Sequence, residues 1–421
     1  MLLRRLFLLS RHFQHQWWPT DRLARLQQCR LVTLVQHAYE NVPYYRRCFD
    51  SAGIRPCSIT GLKDLHRIPI TPKNNLAQLD PQEVIAANVP IHRLMCHRTG
   101  GSTGVPFSIY SSTLMEDIRV ASLFATFLVN GYRPYQKIAL LQAAPPKCSL
   151  LNRIGLFQRV DIPYHLKIEQ QLNRLAQCQP AVLEGYPSRI GQVAQEILKK
   201  GIVGIRPELI ITNSEVLTDD IRKVIQEAFG INPTNVYDAW EFGNIAWECP
   251  HHEGLHINSD RMIVEIVKEG KAVTGIAGEV VITDLYNEAM PFIRYATGDI
   301  AQLATGACTC GRTFPLINHL LGRQSERLIL SDGSEVMATL PINALLKNVK
   351  GLREYQIIQR KIGELNIAVV ADDDFSATEE KKIQTFLVKA FQLDRVEINK
   401  VAAIEKTPAF KHRVFISEIV S

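Results

Sequence analysis

No run of apolar residues in this 421-residue chain approaches the roughly 20 that a bilayer-spanning helix needs. A transmembrane segment is therefore not expected. Met1 to Ser10 holds two arginines and a Leu-Phe-Leu-Leu run, too short for the apolar part of a secretion signal, and histidine and glutamine follow. Leu2, Leu3, Phe7, Leu8, Trp17 and Trp18 could touch a surface or a partner, but a helix packed on its own domain is the plainer expectation. One-sided charge is also missing: 48 Lys and Arg against 42 Asp and Glu leave only +6, which argues for neither nucleic acid nor a membrane surface as partner. The nine cysteines are an odd number in a chain too long to need disulfides, which predicts free thiols and a reducing, cytoplasmic setting. No internal repeat and no low-complexity segment is present. With 46% hydrophobic and 21% charged residues, what remains is an ordinary globular composition long enough for two or three domains.

Hydrophobic periodicity supplies the layout. Leu23, Leu26, Cys29, Leu31, Leu34 and Val35 are spaced for one helical face, which Asn41, Val42 and Pro43 end. From Ile138 onward short apolar runs alternate with amphipathic helices. Ala181-Val182-Leu183 precedes a helix carrying Ile190, Val193, Ala194, Ile197 and Leu198, with Ser188 as N-cap and Gly201 as stop. Leu209-Ile210-Ile211 then precedes a helix capped by Thr218 and closed by Gly230, and a further strand follows near Val236. Beyond Asp260, strands such as Met262 to Ile266 and Glu279 to Thr283 predict a more antiparallel region. Past Arg323, strands at 355–359, 364–370 and 396–401 surround one helix, which opens on the capping box Ser376 to Glu379 and carries Ile383, Phe386, Leu387, Ala390 and Phe391 on one face. The fold class is thus α/β: a large layered domain over residues 1–322 with a more antiparallel part, then a small α+β domain over residues 323–421.

Three segments carry chemistry. Arg98-Thr99-Gly100-Gly101-Ser102-Thr103-Gly104 combines glycines, whose backbone N–H groups can turn toward an anion, with hydroxyl donors, as a phosphate-cradling loop requires. It lacks the Gly-Lys-Ser/Thr ending of a Walker loop, and a polar turn between strands is the alternative. Tyr237-Asp238-Ala239-Trp240-Glu241 follows a strand, so Glu241 could hold Mg²⁺ with phosphate oxygens completing the shell, and Tyr237 could offer its ring to a nucleobase; a buried aromatic cluster with one solvated Glu is the alternative. In Met290 to Asp299, the short acid after Thr297-Gly298 can accept two hydrogen bonds from a ribose diol. Separately, Cys249 and His256, with Cys308 and Cys310 downstream, give three thiols and one imidazole that could hold a structural Zn²⁺; His251 and His252 compete as ligands, and buried free cysteines are the other reading.

These segments in this order, followed by Leu321-Gly322-Arg323, resemble the adenylate-forming superfamily, specifically the phenylacetate-CoA ligase-like branch that includes capsule-biosynthesis adenylating proteins. Asn41 to Arg46, Gly185 to Ser188 and Cys308 to Arg312 are similar to stretches of that branch. The resemblance implies that Thr99, Gly100, Gly101, Ser102, Thr103 and Gly104 clasp the ATP phosphates, Tyr237 stacks on adenine, Glu241 binds Mg²⁺ and Asp299 holds the ribose. Ser214, Glu215 and Asp238 join the nucleotide-binding set, and Arg323 contacts the nucleotide and opens the hinge to a mobile small domain. There Lys411, in Lys406 to Arg413, is the implied catalytic lysine, and a structural zinc is implied at the Cys/His set.

Departures from the branch are Val105 where many relatives have Lys, Asp238 and Trp240 where Gly and a hydroxyl residue are usual, Ser325 for Asp, and Phe410 for Gly. Trp240, Tyr186 and the apolar run at 140–144 could wall an acyl pocket, with core packing as the alternative. The implied activity is ATP-dependent activation of a carboxylic acid as acyl-adenylate with pyrophosphate release, followed by transfer to CoA. A transferase that passes the acyl group to another acceptor, and a catalytically inactive relative acting as a binding protein, stay open. Expected partners are a small carboxylic acid and a nucleotide, with no nucleic acid; a homodimer is compatible with the chain.

Overall fold

The computed structural model describes residues 2–98, 107–141, 155–163, 165–323, 327–337, 342, 345–346, 349–404 and 414–419. By its internal contacts the chain divides into two compact units, Met1–Thr297 with Ala301–Leu320, and Gly298–Ile300 with Leu321–Ser421.

The first unit begins with two helices, α1 (Leu2–His15) and α2 (Thr20–Asn41), and α3 (Pro43–Ser51) follows at once because Pro43 is a favoured first helical residue. Leu23, Leu31, Leu34 and Val35 of α2 are buried as their spacing predicts, whereas Cys29 lies off that face and is exposed. Two short helices, α4 (Lys73–Ala77) and α5 (Pro81–Val84), lead to α6 (Thr113–Val129), which Ser112 caps by accepting from Met115 N–H.

A 13-stranded sheet organises the rest of this unit. On one side β4 (Ile138–Leu141), β6 (Val182–Gly185), β7 (Leu209–Thr212) and β8 (Thr234–Ala239) run parallel, with β5 (Arg159–Asp161) at the edge. Their sequences are continuous apolar runs because helices cover them. Helix α7 (Ile168–Cys178) precedes β6; α8 (Pro187–Lys200) and α9 (Asp219–Phe229) connect the next strands. Gly201 and Gly230 end α8 and α9 in the left-handed conformation, and Thr218 Oγ1 caps α9. Ser188 does not cap α8: Pro187, with its φ preset for a helix, takes the first position, and Tyr186 stands at the cap. At β8 the direction reverses. Strands β9 (Gly243–Glu248) and β10 (Leu255–Ile257) pair antiparallel, and so do β11 (Met262–Lys268) and β13 (Gly278–Asp284), as the alternating patterns predict.

In the second unit β18 (Leu352–Lys361), β19 (Glu364–Ala371), β20 (Arg395–Lys400) and β21 (Phe415–Ser417) form a four-stranded sheet in the order β20-β19-β18-β21. Helix α10 (Ala377–Phe391), capped by Ser376 Oγ at Glu379 N–H, buries Ile383, Leu387 and Phe391. Phe386 and Ala390 are exposed, so the buried stripe is narrower than the sequence pattern predicts. Every described cysteine is a free thiol, and no helix among the described residues is long and apolar enough to cross a membrane.

Buried polar contacts fasten α1 to this scaffold. Arg4 Nε and Arg5 Nε donate to the Asp117 carboxylate of α6 at 2.6 and 2.5 Å, and His12 and His15 place both Nδ1 atoms on Asp260 Oδ2 at 2.9 and 3.0 Å. Burial by itself would push the Asp260 carboxyl up; the two imidazoles overcome it and hold the group well below the usual carboxylate range. A depressed carboxylate contributes stability that is present above its unfolded value near pH 4 and is lost as the pH falls toward the folded one. Asp260→Asn is expected to cost about 1–3 kcal/mol at neutral pH and to flatten the loss of stability between about pH 5 and 3. Urea denaturation across that range measures both effects.

Candidate active site

The carboxyl ends of parallel strands, where a sheet changes its connectivity, are where α/β folds place ligands. Here the ends of β6, β7 and β8 lie side by side, and β8 turns back into β9 through Trp240-Glu241-Phe242. Gly243 makes this turn with φ +67°, and a Cβ added there would come within 3.2 Å of Arg119 Cγ.

Glu241 is the centre of the arrangement. It is only 4% exposed, and its Oε1 accepts from Lys73 Nζ at 2.8 Å and from the Tyr295 hydroxyl at 2.9 Å. Burial opposes its charge, but the Lys73 ammonium, with help from Tyr295, holds the carboxyl below its ordinary value. Arg119 of α6 donates to the Glu241 carbonyl and, through its other terminal nitrogen, to Glu116 at 3.1 Å. The solvated Glu that the sequence allowed is therefore a buried and compensated one.

Asp238 accepts from Ser214 N–H at 2.8 Å and from its hydroxyl at 3.2 Å, and Ser214 holds a left-handed φ of +64° just beyond β7. Glu215 Oε2 accepts from Ser188 N–H at 3.2 Å, which sets an acid at the N-terminus of α8 where the helix dipole favours it. Tyr237, expected to present its ring, is buried among the main core residues because β8 is an interior strand covered on its faces. Trp240 is 56% exposed, its ring 6.0 Å from that of His97, while Leu140 and Leu141 belong to the core and residues 142–144 lie outside the described residues. In the second unit Arg323 Nε and Asp299 Oδ1 stand 3.5 Å apart. Thr99 to Gly104 and Lys411 lie outside the described residues.

Lys73, Arg119 and Tyr295 are the partners that sequence reasoning missed. Lys73 and Arg119 stand in no motif, and Tyr295 sits inside the Met290 to Asp299 segment without a role that its neighbours reveal.

A second cluster joins Cys249, His256, Cys308 and Cys310, whose ligand atoms all lie within 4.8 Å of one another. Cys249 Sγ is 3.7 Å from Cys308 Sγ, and Cys310 Sγ is 3.4 Å from His256 Nε2. His256 Nδ1 faces the Phe314 carbonyl at 3.3 Å, which leaves Nε2 as the ring's free lone pair. Burial lowers the imidazole to about 4 and raises the Cys308 thiol to about 12. Glu253 accepts from the Thr309 N–H at 2.8 Å and from its hydroxyl at 2.6 Å, so the two loops are stitched together beside the cluster. His251 and His252 are engaged elsewhere, with Thr309 and Glu248.

A large mixed sheet with a small separate α+β unit is the fold of the acyl-CoA ligases. The crystal structure of 2-hydroxyisobutyryl-CoA ligase in its postadenylation state, in complex with R3-HIB-AMP, matches with a TM-score of 0.78 and 19% identity, over 96% of this chain and 91% of that one. Phenylacetate-coenzyme A ligase of Thermus thermophilus is 33% identical over 83% of this chain and 81% of its own length, and the chain belongs to that family. Protein CapK of Staphylococcus aureus is 23% identical over 99% of this chain and 95% of its own, and the CapK C-terminal domain family matches residues 328–418.

Removing Lys73 leaves a buried carboxylate without its cation. Lys73→Ala is expected to destabilise the chain by about 3–5 kcal/mol at neutral pH, with the deficit shrinking as the pH falls and Glu241 is protonated. Thermal unfolding of both proteins at pH 7 and pH 4.5 reads this out.

Proposed function

We propose that this chain is an AMP-forming acid ligase that activates a carboxylic acid with ATP, releases pyrophosphate and passes the acyl group to CoA. The observation that carries this reading is the buried, charge-compensated Glu241 at the β8–β9 reversal, beside Asp238 and Ser214, in a member of the phenylacetate-CoA ligase family.

The chemistry is an in-line attack of a carboxylate oxygen on the ATP α-phosphorus, with the bond to pyrophosphate breaking. Both reactants are anions, so the protein must neutralise charge and fix alignment. In this reading the loop N–H groups and hydroxyls from Thr99 to Gly104 hold the phosphates, Ser214, Glu215 and Asp238 shape the nucleotide site, and Asp299 takes the ribose hydroxyls. Arg323 contacts the nucleotide at the hinge. Lys411 supplies the positive charge that lets the carboxylate approach the phosphate.

Glu241 suits Mg²⁺ as a hard oxygen ligand, with phosphate oxygens supplying the remainder, and Lys73 is the internal cation that would give way. Bound there, the ion would withdraw charge from the phosphates. The four-residue cluster suits Zn²⁺ for a separate reason. A tetrahedral ion with Zn–S near 2.3 Å sets its sulfurs about 3.8 Å apart, against 3.7 Å for Cys249 and Cys308. All four positions are protein ligands, so the ion would pin the Cys249 and Cys308 loops and leave no site for substrate.

Acid-dependent pyrophosphate release, measured over aromatic, aliphatic and amino acids with and without CoA, tests the reading; silence across the panel would overturn it. In the same assay Lys411→Ala is expected to lower adenylation by roughly 100-fold or more while ATP affinity changes little. Elemental analysis is expected to find about one zinc per chain. Cys308→Ser with Cys310→Ser should abolish it and remove about 4 kcal/mol of stability at metal a thousandfold above Kd.

A further inference from the structure

Five of the chain's six net positive charges fall within residues 1–39, where six arginines stand against one acid, Asp21. The whole-chain balance conceals this, because the remainder is close to neutral. Helix α1 holds three of those arginines, Arg4, Arg5 and Arg11, and no acid. The carboxylates that α1 engages, Asp117 and Asp260, are both buried, whereas further cations gather just past its end: Arg312 lies 4.9 Å from the Trp17 ring and Arg22 lies 3.7 Å from that of Trp18. With histidine neutral, residues 2–18 and the charged groups they engage keep a net charge of +3.

The same helix packs on its unit by one face only. His12 and His15 are buried on the inner side. On the opposite side Leu3, Phe7, Ser10 and Gln14, at intervals of four and three, are all exposed, and so are Leu2 and Leu6 beside them. Leu3 is 82% and Phe7 61% exposed, so the apolar part of this face meets water. Leu114 of α6, next to the Thr113 carbonyl that Arg4 Nη2 reaches at 3.3 Å, is a further exposed leucine. Arg4 and Arg11, about two helical turns apart, follow one flank of the face, and the Arg11 guanidinium sits 5.7 Å from the Phe7 ring. Trp17 is exposed too, and its indole joins an apolar body to a polar N–H. Single exposed leucines are ordinary, but a group of them rimmed by cations marks a site of interaction.

We propose that this face of α1 docks on an anionic lipid bilayer, with Leu2, Leu3, Leu6 and Phe7 entering the boundary between headgroups and acyl chains and the surrounding arginines facing lipid phosphates. The helix lies on the bilayer and does not cross it: its 14 residues reach about 21 Å, short of the roughly 30 Å hydrocarbon core. Amphipathic helices of this kind bind by apolar burial and by attraction to anionic lipid together. A second copy of the chain fits the face poorly. A two-fold interface would set the +3 cluster against itself, and the few apolar side chains here fall far below the roughly 20–30 residues a side of a stable dimer.

Co-sedimentation of the full chain with vesicles tests this at two compositions, phosphatidylcholine alone and phosphatidylcholine with about 30 mol% phosphatidylglycerol. At about 0.1 M NaCl the chain is expected to partition about tenfold or more strongly onto the anionic vesicles, and at about 0.5 M to lose most of that preference as screening shortens the reach of the arginines. Leu3→Ser combined with Phe7→Ser, both at exposed positions, is expected to weaken binding to the anionic vesicles by about tenfold or more while the thermal midpoint stays unchanged. Arg11→Gln combined with Arg22→Gln should lower it several-fold and flatten its salt dependence. Should the serine variant not fold, the lipid and salt series on the unmodified chain decide with the arginine variant. Equal partition onto both compositions, or none onto either, would overturn the proposal, and anionic binding that survives the serine pair would remove it from this face. Light scattering covers the second copy: a dimer that the serine pair dissolves, without binding to vesicles, assigns the face to self-association and overturns the lipid reading.

Discussion

A carboxylate cannot stay charged inside a protein without compensation, and the region around β8 is built on meeting that demand at Glu241. Lys73 comes from α4, Tyr295 from the strand paired with β1 (Thr71–Pro72), and Arg119 from α6. Three separate stretches of chain thus converge on one turn. The compensation also fixes where the sheet reverses, because the turn from β8 to β9 cannot move without breaking contacts to each of them. Gly243 permits the tight return and keeps room for the Arg119 stem.

Most of the architecture is legible because it is written locally. The alternation of apolar runs with helices closed at Gly201 and Gly230, and the caps at Thr218 and Ser376, each depend on residues within a few positions of one another. Misreadings arise where two local rules compete. Ser188 is a good capping residue, but Pro187 next to it is a better first residue of a helix, and the chain follows proline. Cys29 and Phe386 fit the helical period, yet each lies at the margin of a stripe that the surrounding unit does not cover.

The site is legible in its acids and opaque in what neutralises them. Glu241 and Asp238 announce themselves by following a strand, whereas Lys73 is 168 residues from Glu241 and Arg119 is 122, with no periodic or spacing signal joining them. The Cys/His cluster is the opposite case. Its four members are chemically rare enough to be grouped by type alone, across the 59 residues that separate Cys249 from Cys308, and the structure brings them within ligand distance of one another. The stitch between Glu253 and Thr309 that holds its loops together uses residues too common to be noticed.

The fastening of α1 has a consequence for how the chain is made. Its first two arginines wait for Asp117, more than 110 residues downstream, its histidines for Asp260 at separations of 245 and 248, and Gln16 just beyond it for Arg312 at 296. At ribosomal rates of about 5–20 residues per second, that last partner emerges on the order of 15–60 s after the helix itself. Until those partners follow, the Leu- and Phe-rich face of α1 lacks the groups that fasten it, which makes this helix a natural point of chaperone engagement during synthesis. Helix α1 is thus fully fastened only after most of the unit that holds it has been made.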